Sequence, residues 1–588
     1  MKTKSSIPVF IFVIIAYVLH EVFFQLEETE VIKIRCGQQL KGFVSNSRDG
    51  RKFFQFLGIP YAKPPVGELR FEPPQRAEKW TGILDATKYS SMCPQLSHIF
   101  QLPDGHEDCL FLNVNTPRLP KNGDRGKPLP VMVFFHGGLF VHGDGFLYRA
   151  DYLMDEDVVL VLVHYRLNSF GFLNTGDDVV PGNMGLKDQV MSLKWVQENI
   201  KYFGGDRNQV TIFGQSAGAS CVHLHVISPM SKGLFHRAIS ESGTALSPWS
   251  IRSNPAEQSA RLARKLNCPT SSATDMVACL KKLSMQEIMY AHREMLESFL
   301  NPEILLRDSI TIFVPTVECG NITADTFLPA HPLTMLKDGY FNKVPWLAGA
   351  NGQDGAIVSI AAVRTEKSSQ LMYDNAMDAL PRILFMHSNE NVTRLKDYYM
   401  TKQLDIRDEK SFNKFTDMIT DRYYMNGLRD ATRYQSPDAP VYLYIYNHKG
   451  KFRPQNAMIE VQRKYLPQLD VAGFLLKTIW YQHILGLEAP FYGVGHMDEV
   501  AMIFPLRFLS YVGQDHQDYE MSKSMVKLWT SFAHNKKTLK FRNVTWNPIN
   551  PRMKSLKYLN LSLTPSIIED PFTERYDLWA SVHASPNL

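Results

Sequence analysis

The sequence predicts an α/β fold, a mainly parallel twisted sheet covered by helices on both faces. Two observations carry that reading. Apolar runs at 131–135 (VMVFF), 158–163 (VVLVLV), 210–213 (VTIF), 344–349 (VPWLAG) and 441–446 (VYLYIY) are too continuous for half-exposed strands, so both sides of each must be covered. Between the second and third runs, residues 186–203 put Leu186, Val190, Leu193 and Ile200 on one stripe at helical spacing, with Gly204 as the stop. A strand, helix, strand order of this kind makes right-handed crossovers between parallel strands.

In chain order the first element is a leader. Lys2 and Lys4 precede PVFIFVIIAYVL at 8–19, about a dozen apolar residues, which suits a signal-peptide core and falls short of the roughly twenty that a membrane span needs. Residues 1–24 are read as that signal and the chain as secreted. No later stretch is long enough to span a bilayer, and the C-terminal HASPNL is neither a retention tetrapeptide nor a lipid-anchor tail. Residues 25–588 hold no Gly/Ser-rich or Pro-rich linker, repeat or low-complexity block, so they read as a single domain. A formal charge of +5 over 588 residues gives no electrostatic footprint for nucleic acid as partner. There is no HExxH and no paired CxxC, so neither a metal nor another cofactor is expected.

Four segments of the domain carry chemistry. The strand at 129–135 runs into His136, Gly137 and Gly138, where small residues let backbone N–H groups face a substrate closely. The run ending at Phe213 continues into GQSAG at 214–218 and then into a stretch suited to a helix. That strand, tight turn and helix put Ser216 on the turn, with Gly214 and Gly218 avoiding clashes around it. KVPWLAGANGQDGAIV at 343–358 is another apolar strand ending in a glycine-rich loop, which carries Asp354. Among the eighteen histidines, His496 stands out in GVGHMDEV at 493–500, where glycines free a loop. Acyl transfer needs a nucleophile, a base, an acid to hold the base in the right tautomer, and donors for the oxyanion. The four segments offer one of each.

With FLGIPYAKPPVGELRFEPP (56–74), EDCLFLNV (107–114), YRLNSFGFL (165–173), GNMGLKDQ (182–189) and LFHRAISESG (234–243), these segments resemble the type-B carboxylesterase and cholinesterase family, whose fold is the α/β-hydrolase. The landmarks run in family order over nearly all of the mature chain. GQSAG, GLKDQ and the GxxHxxE spacing of Gly493, His496 and Glu499 resemble insect carboxylesterases, among them those that hydrolyse juvenile hormone. The resemblance implies Ser216 as nucleophile, His496 as general base, Asp354 as the acid, and the N–H groups of Gly138, Leu139 and Ala217 as oxyanion donors. It also implies disulfides Cys93–Cys109 and Cys268–Cys279, leaving Cys36, Cys221 and Cys319 of the seven cysteines.

Three positions depart from the family pattern. Asp354 stands where most relatives have glutamate, and its shorter arm requires a closer loop. Leu139 replaces a small residue, which narrows the acyl side of the site. Gln215 replaces glutamate before the nucleophile and removes a charge that would favour a cationic substrate. The expected activity is hydrolysis of uncharged, apolar carboxylic esters through an acyl-enzyme intermediate. A cholinesterase is disfavoured because no tryptophan lies between Cys93 and Cys109 to meet a cationic headgroup. A silent adhesion ectodomain of the same fold is the other alternative, against which stand the retained Ser216 and His496. Glycosylation sequons begin at Asn321, Asn391, Asn543 and Asn560.

Overall fold

The computed structural model describes residues 27–97, 102–120, 126–300, 313–362, 366–386, 389–400, 408–451, 493–507 and 511–583, so the leader at 1–24 lies outside the described residues. Among them, eleven strands form one sheet: β1 (Phe43–Asn46), β2 (Lys52–Pro60), β3 (Phe111–Thr116), β4 (Leu129–Phe135), β5 (Val159–Val163), β6 (Gly205–Gln215), β7 (Arg237–Glu241), β8 (Trp346–Asn351), β9 (Val441–Tyr446), β10 (Lys557–Leu561) and β11 (Ser566–Glu569). Their order across the sheet is β11-β10-β9-β8-β7-β6-β4-β5-β3-β2-β1. Strands β4 to β10 are mutually parallel, and antiparallel pairs close both edges.

Side chains alternate along β4 as the pleat requires. Val131, Val133 and Phe135 enter one apolar cluster, where they join Leu186, Val190 and Leu193 of α1 (Met184–Asn199) and Val222 and Leu224 of α2 (Ala217–Ile227). Met132 and Phe134 enter the opposite cluster with Phe213, Ile239, and Met525 and Trp529 of α3 (Tyr519–Ala533). Both faces of β4 are therefore dry, which explains its unbroken apolar run. Helix α1 ends at Asn199 and tightens into a 3-10 turn over Ile200–Phe203, which Gly204 stops with φ 82°.

Disulfides join Cys93 to Cys109 and Cys268 to Cys279. Cys36 and Cys319 are exposed, whereas Cys221 is buried on α2 and its thiol is pushed up to about 12 by desolvation. Of the sequons, Asn321 and Asn543 are exposed and Asn560 is half-buried on β10. Asn391 departs from expectation. It is buried and its Nδ2 donates to the Val582 carbonyl at 3.3 Å, so the nitrogen that would carry a glycan points inward.

Candidate active site

Ser216 is the single residue between β6 and α2, held at φ 59° and ψ −123°. Close packing forces that turn. A Cβ on Gly218 would lie 2.0 Å from the Phe135 carbonyl oxygen, and one on Gly214 would lie 2.6 Å from the carbonyl carbon of Gly218. The Ser216 N–H donates to the Glu241 carbonyl at 2.8 Å, tying the elbow to β7 through main chain. The α2 helix starts at once, so its first N–H, that of Ala217, has no acceptor within the helix.

Asp354 and His496 come from two loops far apart in sequence. Asp354 follows β8 and is fully buried; its Oδ1 accepts from His496 Nδ1 at 2.6 Å. Its Oδ2 accepts from Ser242 Oγ at 2.6 Å and from the Asn351 N–H at 2.7 Å. Three donors thus fix the carboxylate, and the short aspartate arm reaches the imidazole. The two loops are stitched to each other by Gln353, whose N–H donates to the Val494 carbonyl at 2.9 Å while its Oε1 accepts from the Val494 N–H at 2.8 Å. Asn351 Nδ2 donates to the Gly495 carbonyl at 2.6 Å and also to Glu499 Oε2. Asp498 turns back into its own loop, accepting from the Gly495 N–H at 2.9 Å, so neither acidic neighbour of His496 competes with Asp354 for the ring.

A carboxylate can only accept, so Nδ1 of His496 carries the proton and Nε2 offers a lone pair. That lone pair is occupied. Gln215 Nε2, on the residue before Ser216, stands 3.1 Å from His496 Nε2 and donates to it. No hydrogen bond joins Ser216 Oγ to His496 in this structure. The structure therefore brings Asp354 and His496 into direct contact and Ser216 beside them, with the serine hydroxyl not yet engaged.

The loop after β4 lies over the elbow. A Cβ on Gly137 would stand 2.6 Å from the Gln215 carbonyl oxygen, so only glycine lets this backbone pass. The Gly138 carbonyl accepts from the N–H groups of Val141 at 3.0 Å and His142 at 3.1 Å, closing a turn in which Gly138, Leu139 and Phe140 all have positive φ. No described residue accepts from the N–H of Gly138, Leu139 or Ala217. Unpartnered donors beside a nucleophile are what a developing oxyanion requires. Leu139 is half-exposed, at the surface of the loop rather than in its core.

Charge in the site is low. Burial pushes the His136 imidazole down to about 4, keeping it neutral, and its ring stacks on Tyr165 at 4.4 Å between centroids. Burial pushes Glu241 up to about 8, with Trp529 Nε1 donating to its Oε1 at 2.9 Å. Glu499 is raised well above the usual carboxylate range by burial, with Asp354 and Glu241 adding to the effect. Ser242, Asn351, Gln353 and Glu499 complete the site without having been singled out for it by sequence. All four lie within segments that stand out in the sequence, Ser242 in LFHRAISESG, Asn351 and Gln353 in KVPWLAGANGQDGAIV and Glu499 in GxxHxxE, and that is the available signal.

A mostly parallel sheet between two helical layers, with a sharp strand-to-helix elbow and acidic and histidine loops converging on it, defines an α/β-hydrolase. Comparison with known proteins agrees and goes further. A family model described as carboxylesterase family matches residues 28–579. Over 528 residues, 87% of this chain and 84% of the relative, the sequence is 35% identical to a juvenile hormone esterase of Tribolium castaneum. It is 34% identical over 545 residues to esterase E4 of Myzus persicae, covering 89% of this chain and 90% of that one. The crystal structure of juvenile hormone esterase from Manduca sexta, with OTFP covalently attached, matches with a TM-score of 0.77 at 26% identity, over 95% of this chain and 100% of that chain. The chain belongs to the carboxylesterase family and is a carboxylic ester hydrolase. Among the described residues no helix is long and apolar enough to cross a membrane.

Proposed function

We propose that residues 25–588 form a single secreted catalytic domain that hydrolyses uncharged, apolar carboxylic esters, with Ser216 as nucleophile, His496 as general base and Asp354 as the acid that orients it. The observation that carries the assignment is the 2.6 Å contact of His496 Nδ1 with Asp354 Oδ1, formed beside the elbow by residues 142 positions apart. His496 Nε2 takes the Ser216 proton as Oγ bonds to the ester carbonyl carbon. The carbonyl oxygen, now negative, is met by the N–H groups of Gly138, Leu139 and Ala217. The C–O bond to the alcohol breaks and the alcohol leaves with the proton from Nε2. Water then enters by the same route, giving its proton to Nε2 and its oxygen to the acyl carbon, and the acid departs as Ser216 is restored. Productive binding has to place Ser216 Oγ where Gln215 Nε2 now meets the imidazole.

Preference for an uncharged substrate rests on the neutral amide of Gln215 and on the raised Glu241 and Glu499, which hold fewer negative charges below the elbow than their number suggests. Covalent labelling with a fluorophosphonate, followed by peptide mapping, tests the assignment. The expected adduct is on Ser216, and Ser216→Ala is expected to remove both label and turnover while leaving the fold intact. Ester turnover in Ser216→Ala within about tenfold of wild type would sink the assignment, because losing a nucleophile costs several orders of magnitude.

A further inference from the structure

We propose that Gln95 is a positioning residue for the oxyanion loop, seating that loop on the first disulfide; the proposal rests on the assignment of Gly138 and Leu139 as oxyanion donors. The loop is a short bridge. Its near end is His136, whose carbonyl accepts from Tyr165 Oη at 2.7 Å directly after β4. Its span is the turn closed on the Gly138 carbonyl, and Asn168 holds the middle by donating its N–H to the Phe140 carbonyl and its Nδ2 to the Val141 carbonyl, both at 2.8 Å. Its far end is Gly143, with φ 128° and so close to the His136 ring that an added Cβ would stand 2.2 Å from Nδ1.

Gln95 holds that far end with both ends of its amide. Its Nε2 donates to the Gly143 carbonyl at 3.1 Å and its Oε1 accepts from the Gly143 N–H at 2.9 Å. The second Nε2 hydrogen goes to the Cys93 carbonyl at 3.0 Å. Gln95 is 2% exposed, so its amide has no bulk solvent to turn to in place of these partners. Two residues before it Cys93 is bonded to Cys109, and Gln95–Leu96 pairs with Pro103–Asp104, so the amide is fixed from behind as well. A side-chain amide that takes both the N–H and the C=O of one residue bridges the two peptide units that flank it, and so sets their relative rotation as well as their distance. Gly143 in turn fixes where the turn over the elbow ends. Oxyanion donors must stand within hydrogen-bond reach of an atom that becomes negative only in the transition state, so a loosened seat costs turnover more than binding.

The test is Gln95→Leu, which keeps the shape and removes all three hydrogen bonds, with Gln95→Glu, which keeps only the acceptor for the Gly143 N–H. For an apolar ester, kcat is expected to fall about tenfold to a hundredfold in Gln95→Leu, with KM within about threefold, and less in Gln95→Glu. The inhibition constant of an alkyl trifluoromethyl ketone, which adds the serine and forms the same oxyanion, is expected to rise in proportion to the loss of kcat. Leu193→Ala in α1, which makes no hydrogen bond to the loop through its side chain, is the control for general loosening. If kcat and the ketone constant stay within about threefold of wild type, or change no more than in a control of equal Tm loss, the proposal is overturned. Should Gln95→Leu fail to fold, Gln95→Glu carries the same comparison. Failure of the catalytic assignment has a different signature, namely turnover persisting in Ser216→Ala.

Discussion

Replacing Asp354 by asparagine changes one atom and leaves the side chain two choices, both worse than the carboxylate. In the first, Oδ1 of the amide stays with Ser242 Oγ and the Asn351 N–H, the two donors at 2.6 and 2.7 Å, and Nδ2 faces the imidazole. The ring must then present a lone pair at Nδ1, which puts its proton on Nε2 and removes the base. In the second, the amide turns over, Oδ1 still accepts from His496 Nδ1, and the buried Asn351 N–H loses its acceptor to a facing N–H. That orientation keeps the tautomer but leaves a buried donor unmet, at about 1–3 kcal/mol, and has no charge to stabilise the imidazolium. The first orientation is therefore favoured, and kcat is expected to fall about 10³- to 10⁴-fold with little change in KM. That is roughly 4 to 5.5 kcal/mol of barrier. Steady-state kinetics on p-nitrophenyl esters, fluorophosphonate labelling rates and Tm measure the three parts of this argument. Asp354→Glu keeps the acceptor and the charge, so its loss is expected to be smaller, about a hundredfold at most. Asp354→Asn with turnover within tenfold of wild type would refute the reasoning and point to another carboxylate.

The acyl side is tested by Leu139→Gly, which retains the N–H, relieves a leucine at φ 56° and removes the bulk; kcat/KM over p-nitrophenyl acetate to octanoate is expected to shift toward longer chains, and an unchanged profile would count against a narrowing role. Glu241 has a folded pKa raised by burial from 4.5 to about 8, so the protonated fold is favoured at low pH and its contribution is lost as pH rises between those values. Glu241→Gln, which keeps an acceptor for Trp529, is expected to gain Tm relative to wild type at pH 8 compared with pH 5; a difference independent of pH rejects the buried carboxyl as its source. Gly218→Ala puts a methyl 2.0 Å from the Phe135 carbonyl oxygen and is expected to cost more than about 4 kcal/mol in denaturant unfolding, whereas a loss under about 1 kcal/mol would mean that the elbow relaxes easily.

What could be read from sequence was local. The elbow at Ser216, the glycines after β4 and the loop after β8 each combine a strand with the residues that end it, and such signals lie within a few positions of one another. The five runs named as strands all contribute to the sheet because a strand dry on both faces leaves an uninterrupted apolar stretch. Strand β7, RAISE, was not picked out as a strand because it begins with Arg237 and ends with Glu241, charged residues that are nonetheless buried. The mixed, shorter strands at the antiparallel edges gave equally little sign. The supporting groups were hidden for a different reason. Gln95 meets Gly143, Ser242 meets Asp354 and Gln353 meets Val494 across separations of 48, 112 and 141 residues, and no periodicity or spacing rule reaches that far. Asn391 shows the converse, a motif complete in sequence whose amide the fold turns inward.

The elbow is shaped by main chain and by missing methyl groups, since Ser216 is held through its own N–H and by the crowding around Gly214 and Gly218. Its hydroxyl takes no part in that work. Selection on the shape of the molecule and selection on its chemistry therefore act on different atoms of one residue. With Ser216 as the proposed nucleophile, a lineage carrying this fold can lose the reaction in a single substitution and keep a fully folded protein, free to be kept for what its surface binds.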